Sequence, residues 1–516
     1  MLLGSALAAG CTDLKEAPTS SITPENFYRT DAEVLGGVAS VYAQLRATEW
    51  SYYNLSEVTT DEIIVPTRGQ DWYDNGTWLE LDHMSYTGSS PAGLGDVNGA
   101  WNDYFQGVAR ANVVLNAIAD KPIANKVAIQ SELRTLRAWY YYMLMDFFGG
   151  VPLVTTTAIQ KAPAETRDSI FRFIEAELHA ARAGVPDASA LPATSHGRVT
   201  KGVIDAILAS MYLNYQVFNG TVSATGLTKS TTARWDSADV VSTRIINSGQ
   251  YSLRTGALGT ATDWRSNFTS TNASSPENIF VIKHTHADGD LGINFIMRAL
   301  HYNQFNPSPW NGFATIAEVY NAFDAADQRR NIFLVGPQVG QDPQLATYNQ
   351  PVNNRQGSRL IFTTTIADAT QATEGEGARI MKWPPDPQHI GNQGNANDYA
   401  FFRLGEIYLI KAEAQNELGN TAAAITNWVN PLRARVGAPA LSPAMTQAQA
   451  RAAIFQERLF ELTGEGKRRQ DMIRAGTYTS ATYFNNTTAR APYKVLMPIP
   501  QTQLDNNSNL KQNPGY

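Results

Sequence analysis

Apolar residues recur at three- and four-residue spacing in two parts of this chain and lose that rhythm in two others. That alternation limits the fold more than any other feature. A helix is expected over about 30–46, with Val34, Leu35, Val38, Val41, Tyr42 and Leu45 on one face. A helical hairpin follows over about 100–118 and 127–148, with Lys121-Pro122 in its turn and Gly149-Gly150 as its stop. Further helices fit 166–183, 200–218, 237–247, 402–418, 421–435, 446–461 and 468–474. Leu418-Gly419-Asn420 ahead of Ala422-Ala423-Ala424 looks like the joint between paired helices of the tetratricopeptide kind. The two irregular stretches, about 47–100 and 251–400, are rich in Gly, Asn and aromatic residues. Only short strand-like runs such as Asn278–Ile282 interrupt the second. The expected architecture is mainly α, a scaffold of helical pairs (about 30–46, 100–250 and 400–475) carrying two long binding loops. Loops of that length inside a compact domain are usually functional.

The single cysteine, Cys11, follows Leu7-Ala8-Ala9-Gly10 and precedes the polar run Thr12-Asp13-Leu14-Lys15-Glu16. This placement is that of a lipoprotein signal junction, at which the leader is removed and Cys11 becomes a lipidated N-terminus. Residues 1–10 are then the remnant of the leader, 11–29 a lipidated tether, and 30–516 one domain. No Lys or Arg lies among residues 1–10, so the basic start of the leader is expected upstream of Met1. The other reading of Cys11 is a buried structural cysteine beside a short N-terminal helix. No apolar run approaches the roughly 20 residues of a spanning helix, which leaves the lipid as the expected membrane contact. One cysteine excludes a disulfide framework and a cysteine metal site. A net charge of −6 argues against a nucleic-acid partner.

Several motifs in fixed order resemble those of the SusD/RagB family of outer-membrane nutrient-binding lipoproteins. Trp101-Asn102-Asp103-Tyr104 leads to Arg110-Ala111-Asn112, and Glu132-Leu133-Arg134-Thr135-Leu136-Arg137-Ala138-Trp139-Tyr140-Tyr141 ends in Phe148-Gly149-Gly150-Val151-Pro152-Leu153. Gly197-Arg198-Val199-Thr200-Lys201-Gly202 opens the next helix. Downstream come Arg403-Leu404-Gly405-Glu406-Ile407-Tyr408-Leu409, Glu465-Gly466-Lys467-Arg468-Arg469-Gln470-Asp471 and the closing Asn513-Pro514-Gly515-Tyr516. The resemblance implies a SusD-like fold and a non-enzymatic protein held on the outer face of the outer membrane. It would lie over a SusC-like TonB-dependent transporter and hand it glycans or, in some members, peptides. It allows a calcium ion without indicating ligands for one, and it places ligand contacts in variable loops, so no recognition residue transfers by motif. Arg134, Arg137, Glu406, Glu413, Glu457, Arg458 and Arg468 stand in helices patterned for burial and are expected to clamp helices together in ion pairs.

The chemistry of sugar capture points elsewhere. An aromatic ring stacks on the C–H face of a sugar, while Asp, Asn or Arg hydrogen-bond its hydroxyls. The stretch Asp71-Trp72-Tyr73-Asp74-Asn75-Gly76-Thr77-Trp78 offers both, and so does His301-Tyr302-Asn303-Gln304-Phe305 running on to Trp310-Asn311-Gly312. Asp71, Trp72, Tyr73, Asn75, Trp78, Tyr302, Asn303 and Trp310 are therefore the candidate ligand contacts, the two loops forming walls of one shallow platform. The alternative is that these rings pack beneath their own loops. Trp101, Trp139, Trp235, Trp264 and Trp428 sit in helical or motif settings that suit a core, while Trp50 and Trp383 are left unassigned.

Two other functions compete. A secreted glycan hydrolase or lyase would need a carboxylate pair in the aromatic cleft, for which Asp61-Glu62, Asp71 and Asp74 are available. A helical scaffold that binds only proteins would bury the loop tryptophans. His284 and His286, with Asp288 and Asp290, make an incomplete metal set and suit a surface turn better.

Overall fold

A computed structural model describes residues 27–286, 294–389 and 395–516. Cys11, Asp288 and Asp290 lie outside them. The long helices are α1 (Asp31–Tyr53), α2 (Asn98–Ala117), α3 (Lys126–Phe148), α4 (Arg167–Ala181), α5 (Lys201–Leu213), α6 (Trp235–Asn247), α7 (Leu404–Glu417), α8 (Gln447–Leu462) and α9 (Arg468–Ala475). Each of α1–α4 packs on the next, α5 packs on α6, α6 on α7 and α7 on α8, so the scaffold is a succession of neighbouring helices. None of the described helices is long and apolar enough to cross a membrane.

Local chemistry sets the helix ends. At α1 Thr30 and Glu33 form a capping box, the Thr30 hydroxyl accepting from the Glu33 amide at 3.2 Å and the Glu33 carboxylate from the Thr30 amide at 2.7 Å. Thr446 and Gln449 do the same at α8. Helix α3 stops at Gly149, whose φ of 76° is costly for any residue with a Cβ. A tight crossing of α2 and α3 depends on Gly107, where an added Cβ would stand 2.3 Å from the Tyr140 ring. The Tyr140 hydroxyl is fixed by a 2.7 Å bond to the Val41 carbonyl, so the ring has no room to retreat. Gly107→Ala is expected to lower stability by about 1–3 kcal/mol, read as a shift in the denaturation midpoint.

Three expectations from the sequence need correction. Helix α1 does not end near Arg46 but runs to Tyr53 and continues in a wider turn, Asn54–Val58. The apolar rhythm fades there because the buried face carries polar residues: Thr48 bonds back to the Leu45 carbonyl at 2.7 Å and Glu49 meets His284 at 2.9 Å. The stretch to residue 100 also holds the short helix Thr77–Asp82 and the turn Gly93–Val97, and is less irregular than expected. Third, Phe402 and Arg403 belong to a strand and not to a helix. Strands β1 (Asn278–Ile282) and β2 (Tyr399–Arg403) pair antiparallel, Asn278 opposite Arg403 and Ile282 opposite Tyr399. Both are buried along their whole length, so β2 reads as a continuous apolar run that a helix also fits.

Charged residues of the motifs hold these parts together. Arg403, fully buried, donates to Glu277 at 2.9 Å, Glu461 at 2.6 Å and Glu465 at 2.6 Å. Arg435 also grips Glu277 (2.7 Å) and Glu461 (2.5 Å), while Arg329 joins Glu461 to Glu457 and Asp327. Elsewhere Arg134 and Arg137 share Glu177, Arg468 takes Asp61, Arg458 takes Asp471, Glu413 takes Arg474 and Glu406 takes Lys467. The motif residues thus serve as interhelical clamps. Burial pushes the Glu461 carboxyl up, but Arg435, Arg403 and Arg329 outweigh it and hold it far below the usual carboxylate range.

One buried pair behaves oppositely. Glu57 and Glu62 are both buried and accept the Gly466 and Gly464 amides respectively, while Glu57 Oε2 has no donor among the described residues. Burial, and for Glu57 the neighbouring Glu62 charge, push both carboxyls up, Glu62 to about 7, with Arg468 offsetting only part. A folded-state value raised above the unfolded one gives stability that is full below the unfolded value and lost as pH rises through the folded one. Stability is therefore expected to fall as pH rises from about 5 to 8 through this pair. Glu57→Gln, which supplies a permanent donor, should flatten that slope in denaturation curves taken across the range.

Candidate glycan-binding face

The two tryptophan loops, far apart in sequence, meet on one face. Trp72 Nε1 donates to the Trp310 carbonyl at 2.6 Å, and the Tyr302 hydroxyl donates to Asp71 Oδ2 at 2.6 Å. The first loop turns sharply, with positive φ at Trp72 (64°), Asp74 (40°), Asn75 (55°) and Gly76 (87°). The second is fixed by backbone bonds from the Trp310 amide to the Met297 carbonyl (2.7 Å) and from the Gly312 amide to the Arg298 carbonyl (2.8 Å). At Gly312 an added Cβ would lie 2.3 Å from the Trp72 indole, so a bare backbone lets the indole rest against it.

A third indole, Trp50, arrives from α1. Its ring centre is 6.3 Å from that of Trp310, with planes at 61°, while Trp72 and Trp310 are 6.4 Å apart at 50°. Trp50 is 36% exposed; Trp72 and Trp310 are half-buried. The floor beneath is Trp78, Phe313 and Arg298, the guanidinium lying 4.1 Å from the Trp50 ring centre. Burial pushes Arg298 down to about 10.

The proposed contacts thus divide. Trp72 and Trp310 face outward in part, Tyr73 is 58% exposed, and Asn75 and Asn303 are exposed, Asn303 Nδ2 reaching the Asn353 carbonyl at 2.9 Å. Asp71 and Tyr302 are half-buried and bonded to each other. Trp78 does not line the surface: only 4% exposed, it tucks under Trp50 and Trp72, and its Nε1 donates to Asp74 at 2.6 Å. The helical turn at Thr77–Asp82 rotates it inward. Phe305 is buried as well, against His389.

Beside the platform lies a cleft of about 430 Å³ between loop 68–69 and segments 354–361 and 372–375. Arg355 joins the two: its guanidinium stacks 4.0 Å from the Tyr302 ring centre and pairs with Asp71 at 2.8 Å and with Glu374. Burial opposes charge on Glu374, yet hydrogen bonds from His301 and Arg355 hold its carboxyl down at about 2. Burial in turn lowers the value of His301, which meets Glu374 at 2.9 Å. Trp50, Arg298, Phe313, Arg355 and Glu374 were absent from the sequence-derived set. Trp50 carried a signal, a tryptophan near the start of the stretch expected to be a loop (about 47–100); the others had none.

The carboxylates a hydrolase would need are engaged elsewhere. Asp61 is held twice by Arg468 at 2.7 Å, Glu62 belongs to the buried pair, Asp71 is bonded to Tyr302 and Arg355, and Asp74 to Trp78. His284 and His286 reach different carboxylates, Glu49 and Asp386. Among the described residues no group of three or more His, Cys, Asp or Glu is placed to hold a metal.

Comparisons with known proteins agree with this architecture. The SusD family profile matches residues 310–516, and a second profile, described as starch-binding associating with outer membrane, matches residues 20–213. SusD-like protein P2 of Formosa agariphila is 26% identical, over 98% of this chain and 97% of its own. The starch-binding protein SusD of Bacteroides thetaiotaomicron is 23% identical, over 90% of this chain and 85% of its own. Among solved structures, a laminarin-binding SusD-like protein superposes with a TM-score of 0.73 at 22% identity, covering 95% of this chain and all of the other. Surface glycan-binding protein A of Bacteroides thetaiotaomicron, solved with laminarihexaose, gives a TM-score of 0.72 at 20% identity, covering 94% of this chain and all of the other. These neighbours share the fold, and with the two profiles spanning both ends of the sequence the chain belongs to the SusD/RagB family.

Proposed function

We propose that this protein captures glycan on the Trp50–Trp72–Trp310 platform at the outer membrane and passes it to a SusC-like TonB-dependent transporter, without chemistry of its own. The observation that carries the reading is the convergence of three partly exposed indoles from distant parts of the chain, rimmed by Tyr73, Asn75 and Asn303. Their planes, 50° and 61° apart, make a curved wall. Such a wall suits a polysaccharide that coils better than a flat ribbon. Relatives named for starch and laminarin binding support the substrate class, and the profile named for outer-membrane association supports the location. Cys11 would supply the lipid anchor, with the platform facing the exterior.

Calcium remains a proposal of the resemblance alone. Titration of neutral and acidic polysaccharides into the protein tests capture: heat of binding to at least one of them, with no release of reducing ends over hours, is expected. Release of new ends would favour the hydrolase reading. Copurification from detergent-solubilised membranes tests the partner; a TonB-dependent barrel is the expected companion.

A further inference from the structure

Besides the ion-paired Arg355, the cleft beside the platform holds arginines that contact no carboxylate among the described residues. Arg68 is 2% exposed, and among the described residues its Nη atoms reach only the carbonyls of Thr373 and Glu376, the latter at 2.9 Å. Its Nε is buried with no acceptor among the described residues. Arg359, also lining the cleft, donates to the Val352 carbonyl at 2.9 Å and pairs with no carboxylate among the described residues. Behind them Arg379, fully buried, likewise meets carbonyls and the Asn311 amide oxygen.

The nearby acids are already used. Glu374 is taken by Arg355 and His301, Asp71 by Arg355 and Tyr302, and the Glu376 carboxylate accepts the Thr373 amide at 2.9 Å. Burial lowers Arg68 to about 10, and the nearby Tyr302, Glu376 and Glu374 offset only part of that cost. A protein with a net charge of −6 thus concentrates unneutralised guanidinium in one open cleft. Buried charge is ordinarily paired, and planar guanidinium forks match carboxylate and sulfate oxygens two at a time.

We propose that the cleft receives an anionic substituent of the captured glycan, a uronic-acid carboxylate or a sulfate ester, between Arg355 and Arg359 with Arg68 behind. The neighbouring sugar rings then lie on Trp72 and Trp310, since Asp71 both borders Trp72 and anchors Arg355. This rests on the glycan-capture reading and narrows it to acidic polymers.

The test is affinity electrophoresis of the full-length protein through gels of polygalacturonate and alginate (carboxylate), carrageenan (sulfate), their carboxyl-reduced or desulfated forms, and neutral laminarin and starch. At least one acidic polymer should bind tenfold or more tightly than its neutralised form, the gap narrowing from 50 to 300 mM salt. Whether the preferred polymer carries carboxylate or sulfate identifies the anion. Arg359→Gln, on a half-exposed side chain, should weaken acidic binding roughly tenfold and leave neutralised polymer unaffected. Equal binding of acidic and neutralised forms, or binding of neutral glucans alone, overturns the anionic cleft and leaves glycan capture standing. Absence of binding to every polymer overturns both.

Discussion

Arg403→Ala is expected to destabilise the protein by about 3–5 kcal/mol, because it strands Glu277, Glu461 and Glu465 in the interior with one cation fewer. Arg403 and its three partners are essentially inaccessible, so water cannot take its place. Domains are stable by only about 5–15 kcal/mol in all, and the variant should approach the point of not folding. Arg172→Ala provides the contrast: that guanidinium is 69% exposed and pairs with Asp168 within one helix, and its loss should cost under about 0.5 kcal/mol. Denaturant midpoints for the two variants check the pair. A loss below 1 kcal/mol at Arg403 would mean that the buried network contributes little to holding β2 against α8.

The second large effect concerns binding. Trp310→Ala is expected to weaken glycan affinity by about 10–100-fold, and Trp72→Ala by a similar factor, since central tryptophans commonly carry about 1–3 kcal/mol each. The two indoles are neighbours, with ring centres 6.4 Å apart, and Trp72 also donates to the Trp310 backbone carbonyl, so the double variant should lose less than the sum of the singles. Trp78→Ala should act differently. Its indole forms the floor and not the surface, so it should lower the melting temperature along with affinity. Titration calorimetry together with thermal unfolding separates the two behaviours.

Much of the scaffold was legible because capping residues, apolar spacing and stop glycines act locally. Thr30, Thr166, Thr200 and Thr446 each accept from a first-turn amide close to where a start was expected, and Gly149 ends α3. The failures arose where tertiary contact overrides local pattern. Helix α1 runs past Arg46 because Thr48 and Glu49 are buried with polar partners, which breaks the apolar rhythm without breaking the helix. Strand β2 was hidden because a strand buried on both faces has no alternation to reveal it.

The candidate face was legible in part for the same reason. Trp72 and Trp310 stood out as large aromatics in polar loops, but which side of the loop each ring takes depends on partners far away in sequence. Trp78 turns inward because Asp74 accepts its indole proton, four residues away on a short helix that no apolar pattern marks. Arg355 and Glu374 lie in a segment without periodicity, and only folding brings them to Asp71 and His301.

The most direct measurement of the central claim is electrophoretic retardation of the full-length protein in polysaccharide gels, with Trp50→Ala and Trp310→Ala beside the parent. The account predicts retardation in at least one gel and its loss in both variants, while each still shows the thermal unfolding of a folded protein. Retardation that survives both substitutions, or none in any gel, would contradict capture on this platform.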